Sequence, residues 1–525
     1  MPASRIARAI VAAISLVSLS VVVSSFHRKP RAWSVAEVPI AFWAWRTQSP
    51  NEADVRAAVE KAGARSIFLR AGQIDYQDGK LRRIRPLAGS LPRGIDLHLV
   101  YNATRSLLAH LESVDDQVLT SAIGRAYRED SERAVQEHAN VAGLQVDIDV
   151  PTRLLPRYRR TLSALRGDLQ PGDQLSITGL PTWMDSSELD DVLAQVDFWI
   201  PQFYGAEIPE RSDQLIPISS PENTLRFVNR ARDLDRPFYA GVAAYSWALL
   251  YSASGSLISL RGDMDPAEIA ADPNLELIDQ RAFEVSTTSS ATDSSAMNEW
   301  RYTFRARADG VTDDLIMHAG DLLVVDVPSA ESLRTAARVV RQQAGEKLLG
   351  ICVFRLPARD DPATLTVEQV ASALSDQNPT AQIDVRIKRE APALKTVQPN
   401  PDSWLLEVQN AGTAGALVGS LQIDLVVQPG GFEALTSGGL ASVETMCQGT
   451  ETAASTRALQ PCSQRRANVI RLRAQMLRPG QTIRAILALN QDPAPTIPVS
   501  ISMQTDAGQP YSIKREVTVE SGVNQ

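Results

Sequence analysis

The sequence predicts an α/β fold: a (β/α)8 barrel with a small β-rich insertion, followed by a C-terminal antiparallel β-sandwich. Three observations lead there. Between Pro39 and Pro357, eight short apolar runs alternate with amphipathic segments, the pattern of a closed parallel sheet. The interval between the seventh run and the last long amphipathic segment is far longer than the rest. Beyond residue 379 the helical period disappears and short runs bounded by Pro, Gly, Asn and Asp take over, as in a sandwich.

The first thirty residues read as a targeting segment. Arg5 and Arg8 precede an apolar run from Ala9 to Phe26, which His27, Arg28 and Lys29 follow. This is the layout of a signal sequence, and the run is also long enough to serve as an uncleaved anchor. Either way the expectation is an exported chain, periplasmic or anchored to the outer face of the inner membrane.

The barrel strands are expected at Pro39–Trp45, Ser66–Arg70, Asp96–Tyr101, Gly143–Asp149, Gln174–Thr178, Phe198–Phe203, Pro237–Ala243 and Leu348–Leu356. Between them, Asn51–Ala62, Val114–His138, Arg153–Leu165, Ser186–Gln195, Pro221–Leu234 and Ser329–Ala344 carry a helical apolar period. Little helical signal links the second strand to the third. Residues 251–328 form the insertion; alternation of Trp300, Tyr302 and Phe304 marks a half-buried strand within it. A helix at 366–375 closes the barrel. The chain thus divides into residues 1–30, a barrel over 31–378 and a sandwich over 379–525, with Ser521–Gln525 frayed.

Composition narrows the function. Hydrophobic residues make up 44% and charged residues 22% of 525, an ordinary globular balance. A net charge of −8 and a pI near 5.4 argue against a general nucleic-acid partner. Cys447 and Cys462 lie in a polar segment and suit a disulfide in an oxidising compartment. Cys352 sits in an apolar run and reads as a buried thiol. The five histidines show no ligand spacing, so no metal and no other cofactor is expected. Neither a phosphate loop nor a nucleophile elbow is present. Arg261-Gly262-Asp263 reads as a turn, and Arg82–Arg85 as solvated charge.

The stretch Gly143-Leu-Gln-Val-Asp-Ile-Asp-Val-Pro151 carries the most chemistry. A strand period of two places Gln145, Asp147 and Asp149 on one face and Leu144, Val146, Ile148 and Val150 on the other. Buried acids are costly unless that face opens on a site, and the carboxyl ends of barrel strands are where sites form. Asp147 would lie about 6–7 Å below Asp149. Charge shared between them would raise the outer pKa, as suits a general acid. The structural alternative is a helix cap for Asp149 and an arginine partner for Asp147. Other strand ends supply Trp43, Trp45, Trp183, Tyr245 and Trp247 as sugar platforms. They also supply Gln202 and Tyr204 on one face, with Arg70, Gln73, Asn102, Arg105 and Arg355 as hydroxyl or acid partners.

The fourth strand resembles the signature of family-18 glycoside hydrolases, the chitinase-type barrels, which reads Asp-Gly-x-Asp-x-Asp-x-Glu followed closely by Pro. Gly143 and Pro151 set the register. Ala142 and Gln145 then replace the first two acids, Asp147 matches the third and Asp149 stands at the acid Glu. Gln202-Phe203-Tyr204 is similar to that family's Met/Gln-x-Tyr, with Gly205 where Asp often follows. The resemblance implies Asp149 as proton donor, Asp147 as partner orienting an N-acetyl group, Tyr204 and Gln202 as positioners, and Gln145 as a sugar contact. It implies substrate-assisted hydrolysis, which needs no second carboxylate nucleophile. The chain also resembles an uncharacterised family of bacterial exported proteins. The expected partner is a polysaccharide or oligosaccharide. The expected function is hydrolysis of an envelope or exported glycan; the alternatives are non-catalytic sugar binding and a structural envelope role.

Overall fold

The computed structural model describes residues 32–46, 49–283, 299–389, 403–429, 431–436, 439–448, 459–490 and 492–520. Eight parallel strands close a barrel, labelled here in chain order: β1 Ile40–Ala44, β2 Ala64–Gln77, β3 Asp96–Ala103, β4 Asn140–Asp147, β5 Gln174–Gly179, β6 Phe198–Pro201, β7 Phe238–Ala243 and β8 Leu348–Phe354. Each pairs in parallel with its neighbour, and β1 closes the ring against both β8 and β2. The predicted fold class is the observed one.

Alternation within the strands builds two cores. Ala41, Trp43, Phe68, Val100, Phe198, Ile200 and Cys352 fill the barrel interior. Leu144, Val146, Ile148, Leu175 and Ile177 face outward and pack with the helices. Gly143 is required by close packing: a Cβ there would stand 2.2 Å from the Gln174 carbonyl oxygen on β5. The first helix, Glu52–Ala62, starts at Asn51, whose side chain accepts from the Ala53 amide, and stops at Gly63 with φ 69°.

The irregular second repeat has a physical cause. β2 runs on past the barrel rim, with a register break between Arg70 and Gly72, and pairs with an antiparallel strand at Lys80–Ile84. A bulge of this kind re-aims a strand. Here a hairpin takes the place of a helix before β3. The long helix Asp116–Gln136 follows β3, capped by Asp115, which accepts from the Gln117 and Val118 amides.

The insertion is a five-stranded antiparallel sheet in the order Leu257–Arg261, Trp247–Tyr251, Leu322–Val327, Trp300–Ala306, Leu275–Ala282. Its first strand begins at Trp247, directly after β7. One face, with Leu249, Tyr251 and Val324, covers Tyr204 and Ile218. The other, with Leu250, Tyr302 and Phe304, packs with Leu417 and Val418. The Ser/Thr stretch at 286–295 lies outside the described residues.

C-terminal strands form two antiparallel sheets. Phe432–Thr436, Thr482–Leu489, Ser403–Asn410 and Ile383–Arg389 make one, and Pro510–Glu520, Thr496–Gln504, Leu421–Val426, Val469–Ala474, Leu440–Gln448 and Leu459–Pro461 the other. A short parallel pairing of Ile387 with Val519 joins them. Strand Ser403–Asn410 buries alternate side chains into the shared core. Cys447 and Cys462 are disulfide-bonded. Arg478 holds the sandwich to the barrel by donating to the carbonyls of Pro362 (2.7 Å) and Thr364 (3.0 Å). No helix among the described residues is long and apolar enough to cross a membrane. The Ala9–Phe26 run and Ser521–Gln525 lie outside the described residues.

Candidate active site

β4 ends at Asp147, and the chain turns at once: the Val150 amide donates to the Ile148 carbonyl at 2.7 Å, a three-residue turn. Asp149 therefore stands on a turn at the carboxyl rim, not on the strand the sequence predicts. Its side chain is exposed and makes no hydrogen bond or ion pair with a described residue. The cap reading fails, because Pro151 precedes the short helix Thr152–Leu154 and no side chain caps it.

Asp147 is half-buried and accepts from the Thr178 hydroxyl on β5. Burial, then repulsion from Asp149, pushes its carboxyl up to about 7, against the Thr178 bond and the Arg70 charge. Burial also raises Asp149, but water reaches its exposed side chain and weakens that effect. Enclosure favours the protonated form of the inner carboxyl, whereas spacing alone points to the outer one. The two carboxylates feel each other because they sit together at one rim, free of any guanidinium within ion-pair distance.

Tyr204 closes the other side. It is buried, stacked on Phe354 with ring centroids 5.9 Å apart, and set edge-on to Tyr245 at 6.0 Å. Burial raises its hydroxyl pKa, and Asp147 and Asp149 both add to the shift. Gln202 is half-buried beside it; its backbone N–H donates to the Gly179 carbonyl at 2.9 Å. Tyr245 is half-buried, and burial pushes it to about 12.

Arg70 lies across the mouth at the end of the barrel part of β2. Its Nε donates to Asn102 Oδ1 and its Nη1 to the Trp45 carbonyl, each at 3.2 Å. The guanidinium covers one face of Trp45, 4.7 Å from the ring centroid. Asn102 stands in register with Asp147. Asp147, Asp149, Tyr204, Gln202, Tyr245, Arg70, Asn102 and Trp45 thus belong to one mouth.

The remaining expected residues do not face that mouth freely. Trp43 and Gln145 lie one layer down: the indole Nε1 donates to Gln145 Oε1 at 2.7 Å, and both are buried. Trp183 is 1% exposed and donates to the Val150 carbonyl at 2.9 Å, so it fills the helix-side core instead of presenting a platform. Trp247 is 2% exposed and donates to Asp326 at 2.7 Å inside the insertion. Arg355 holds Asp361 through two bonds of 2.6 and 2.7 Å and the Gly262 carbonyl at 2.9 Å, which makes it structural. The turn at 261–263 is closed by Arg261 on Asp263.

Sequence reasoning missed Thr178, Phe354 and Glu299. Alternation on β5 points Thr178 inward and could have flagged it. Glu299 carried no signal. It is 1% exposed and accepts from the amides of Ile218 (2.9 Å) and Ser219 (3.2 Å). Ile218 in turn accepts from the Gly205 amide at 2.8 Å. The insertion thereby fixes the loop that follows Tyr204. Cavities of about 620 Å³ beside the hairpin and about 530 Å³ beside the sandwich lie on the flanks; neither is lined by Asp147 or Asp149.

A domain of unknown function, DUF3142, matches residues 106–281. No curated protein sequence matches the chain. Among solved structures, the chain is similar to the Bacillus cereus spore cortex-lytic enzyme SleL (13% identity, TM-score 0.42, 66% of this chain and 75% of that one). It is similar to a chitinase from Chromobacterium violaceum ATCC 12472 (14%, TM-score 0.42, 64% and 99%). A family GH18 chitinase from Chromobacterium violaceum matches over more of the chain (10%, TM-score 0.38, 93% and 92%).

Proposed function

We propose that this chain is an exported glycoside hydrolase acting on an envelope or exported polysaccharide, with Asp149 as general acid. The observation that carries the reading is the Asp147–Asp149 pair, set at the carboxyl rim with no guanidinium within ion-pair distance and with each charge acting on its neighbour. Two acids coupled in this way hold one proton between them near neutral pH. Asp147 holds it while the rim is open to water. A sugar that covers Asp149 strips its water and raises its proton affinity, so the proton moves outward to the glycosidic oxygen. Tyr204 and Gln202 face the same space and position the ring. An N-acetylated sugar suits the site, because its own acetamido oxygen can act as nucleophile while Asp147 orients it.

One observation favours a second reading, sugar binding without turnover. The Gln145 carboxamide is bonded to Trp43 where the resembling family carries an acid. Incubating the full chain with chitooligosaccharides and envelope glycans, and counting new reducing ends, separates the two. New ends support hydrolysis; retained binding without new ends selects the second reading.

A further inference from the structure

The basic side of the mouth has no assigned role. Among the described residues, three buried arginines are paired with acids: Arg301 with Asp326, Arg334 with Glu331, and Arg355 with Asp361. Arg341 lacks an acid; its Nη1 donates to the Leu374 carbonyl and its Nη2 has no hydrogen-bond partner. Arg70 lies at the barrel mouth instead. It is 7% exposed, and no carboxylate of a described residue lies within ion-pair distance. Trp45 and Asn102 use Nη1 and Nε, and leave Nη2 as the donor with no protein partner. Arg85 adds a second cation. It follows the strand Lys80–Ile84, whose Ile84 pairs with Gln73, so the hairpin returns it beside the end of β2. It is exposed and makes no hydrogen bond or ion pair with a described residue. Burial, then the Arg85 charge, lowers the Arg70 pKa, and the Asp147 charge opposes them. The neighbouring Arg83 is spent on the Ala71 carbonyl and on Asp130. It is therefore not the solvated charge the sequence suggests, and its two bonds hold the hairpin in place.

Arg70 is buried with no carboxylate within ion-pair distance, and the Asp147 charge offsets its cost only in part. An anion arriving from outside would relieve the remainder. The half-buried Trp45 ring beside Arg70 suits a sugar. We propose that Arg70 and Arg85 form a subsite for a carboxylate-bearing sugar residue, so that the substrate class is an acidic glycan. This rests on the glycan reading above and narrows it. The carboxylate can belong to a uronic acid or to a lactyl ether, and the guanidinium chemistry is the same for both.

The test is calorimetric titration of the full chain with four probes: a hyaluronan hexasaccharide, its carboxyl-reduced neutral counterpart, chitohexaose, and the disaccharide of N-acetylglucosamine with N-acetylmuramic acid. At low salt, at least one acidic probe is expected to bind about tenfold more tightly than the reduced hexasaccharide, with the gap shrinking as salt rises. Whether the hyaluronan or the muramyl probe is preferred identifies the source of the carboxylate. Arg85→Gln, at an exposed position, is expected to weaken the acidic probe about threefold or more and leave the neutral ones unchanged. Arg70→Met is expected to remove the preference. Equal binding of the acidic and reduced hexasaccharides without a muramyl preference, failure of both acidic probes to bind, or an Arg85→Gln effect common to all probes overturns the inference. Reducing-end release from the same samples keeps the two readings apart. Cleaved chitohexaose with acidic probes refused sinks only the subsite; acidic probes bound but uncleaved sink only the hydrolase.

Discussion

Replacing Asp147 with Asn is expected to stabilise the protein in a manner set by pH. Burial and the Asp149 charge lift the folded carboxyl from its ordinary 3.8 to about 7. Between those values the folded chain holds a proton that the unfolded chain has lost. Wild-type stability therefore falls as pH rises from about 4 to about 7, and stays reduced above that. The difference between 3.8 and about 7 corresponds to roughly 4 kcal/mol. Some water reaches Asp147, and its shift is shared with Asp149, so about 2 kcal/mol is a fair expectation at pH 8. Asn keeps the shape and the oxygen that accepts from Thr178. In a barrel of roughly 350 residues, about 2 kcal/mol raises Tm by about 3 °C. Thermal unfolding of wild type and Asp147→Asn, from pH 4 to pH 8, measures it. The curves should coincide near pH 4 and separate through pH 7, with the variant more stable. Burial also raises the carboxyls of Glu299, to about 8, and Asp506, to about 7; both titrate in wild type and variant and cancel in the difference. A gap independent of pH, or a variant less stable at pH 8, refutes the assignment of a strained acid at the rim.

Other outcomes follow from the same contacts. Glu299→Ala leaves the buried amides of Ile218 and Ser219 without acceptors. It should cost about 2–4 kcal/mol in urea unfolding and speed amide exchange across residues 205–220; unchanged exchange there would contradict the clamp. Asp361→Ala strands the buried Arg355 guanidinium and should cost about 3–5 kcal/mol by the same unfolding measurement. Cys447→Ser opens a loop of 15 residues and should cost about 3 kcal/mol on loop-entropy grounds, seen as earlier melting of the sandwich, with the barrel signal unmoved. Trp45→Ala should weaken oligosaccharide binding about tenfold, or about 1.4 kcal/mol, whereas Trp183→Ala should destabilise the fold and leave affinity per folded molecule unchanged.

The fold was legible because it is written in periodicity. Eight apolar runs and their amphipathic partners need no knowledge of distant contacts, and the acids of β4 break the pattern of a buried strand visibly. The site was legible in part. Asp147, Asp149, Tyr204 and Arg70 meet because strand ends of a closed barrel must meet. Trp183 and Trp247 misled, since an aromatic near a strand end looks the same whether it faces the mouth or the helices. What separates them is a partner far along the chain: the Val150 carbonyl for one and Asp326 for the other. Glu299 and Arg85 were hidden for the same reason. One acts through loop amides 80 residues away, and the other is delivered by a hairpin that departs from the regular repeat.

Turnover by Asp149→Asn beside wild type, on a glycan that both bind, is the measurement that bears most directly on the acid pair. The account predicts new reducing ends from the wild type, a loss of at least a hundredfold in the variant, unchanged affinity, and melting no lower than that of the wild type, because the Asp149 charge that repels Asp147 is gone. Equal turnover in the two proteins would contradict it.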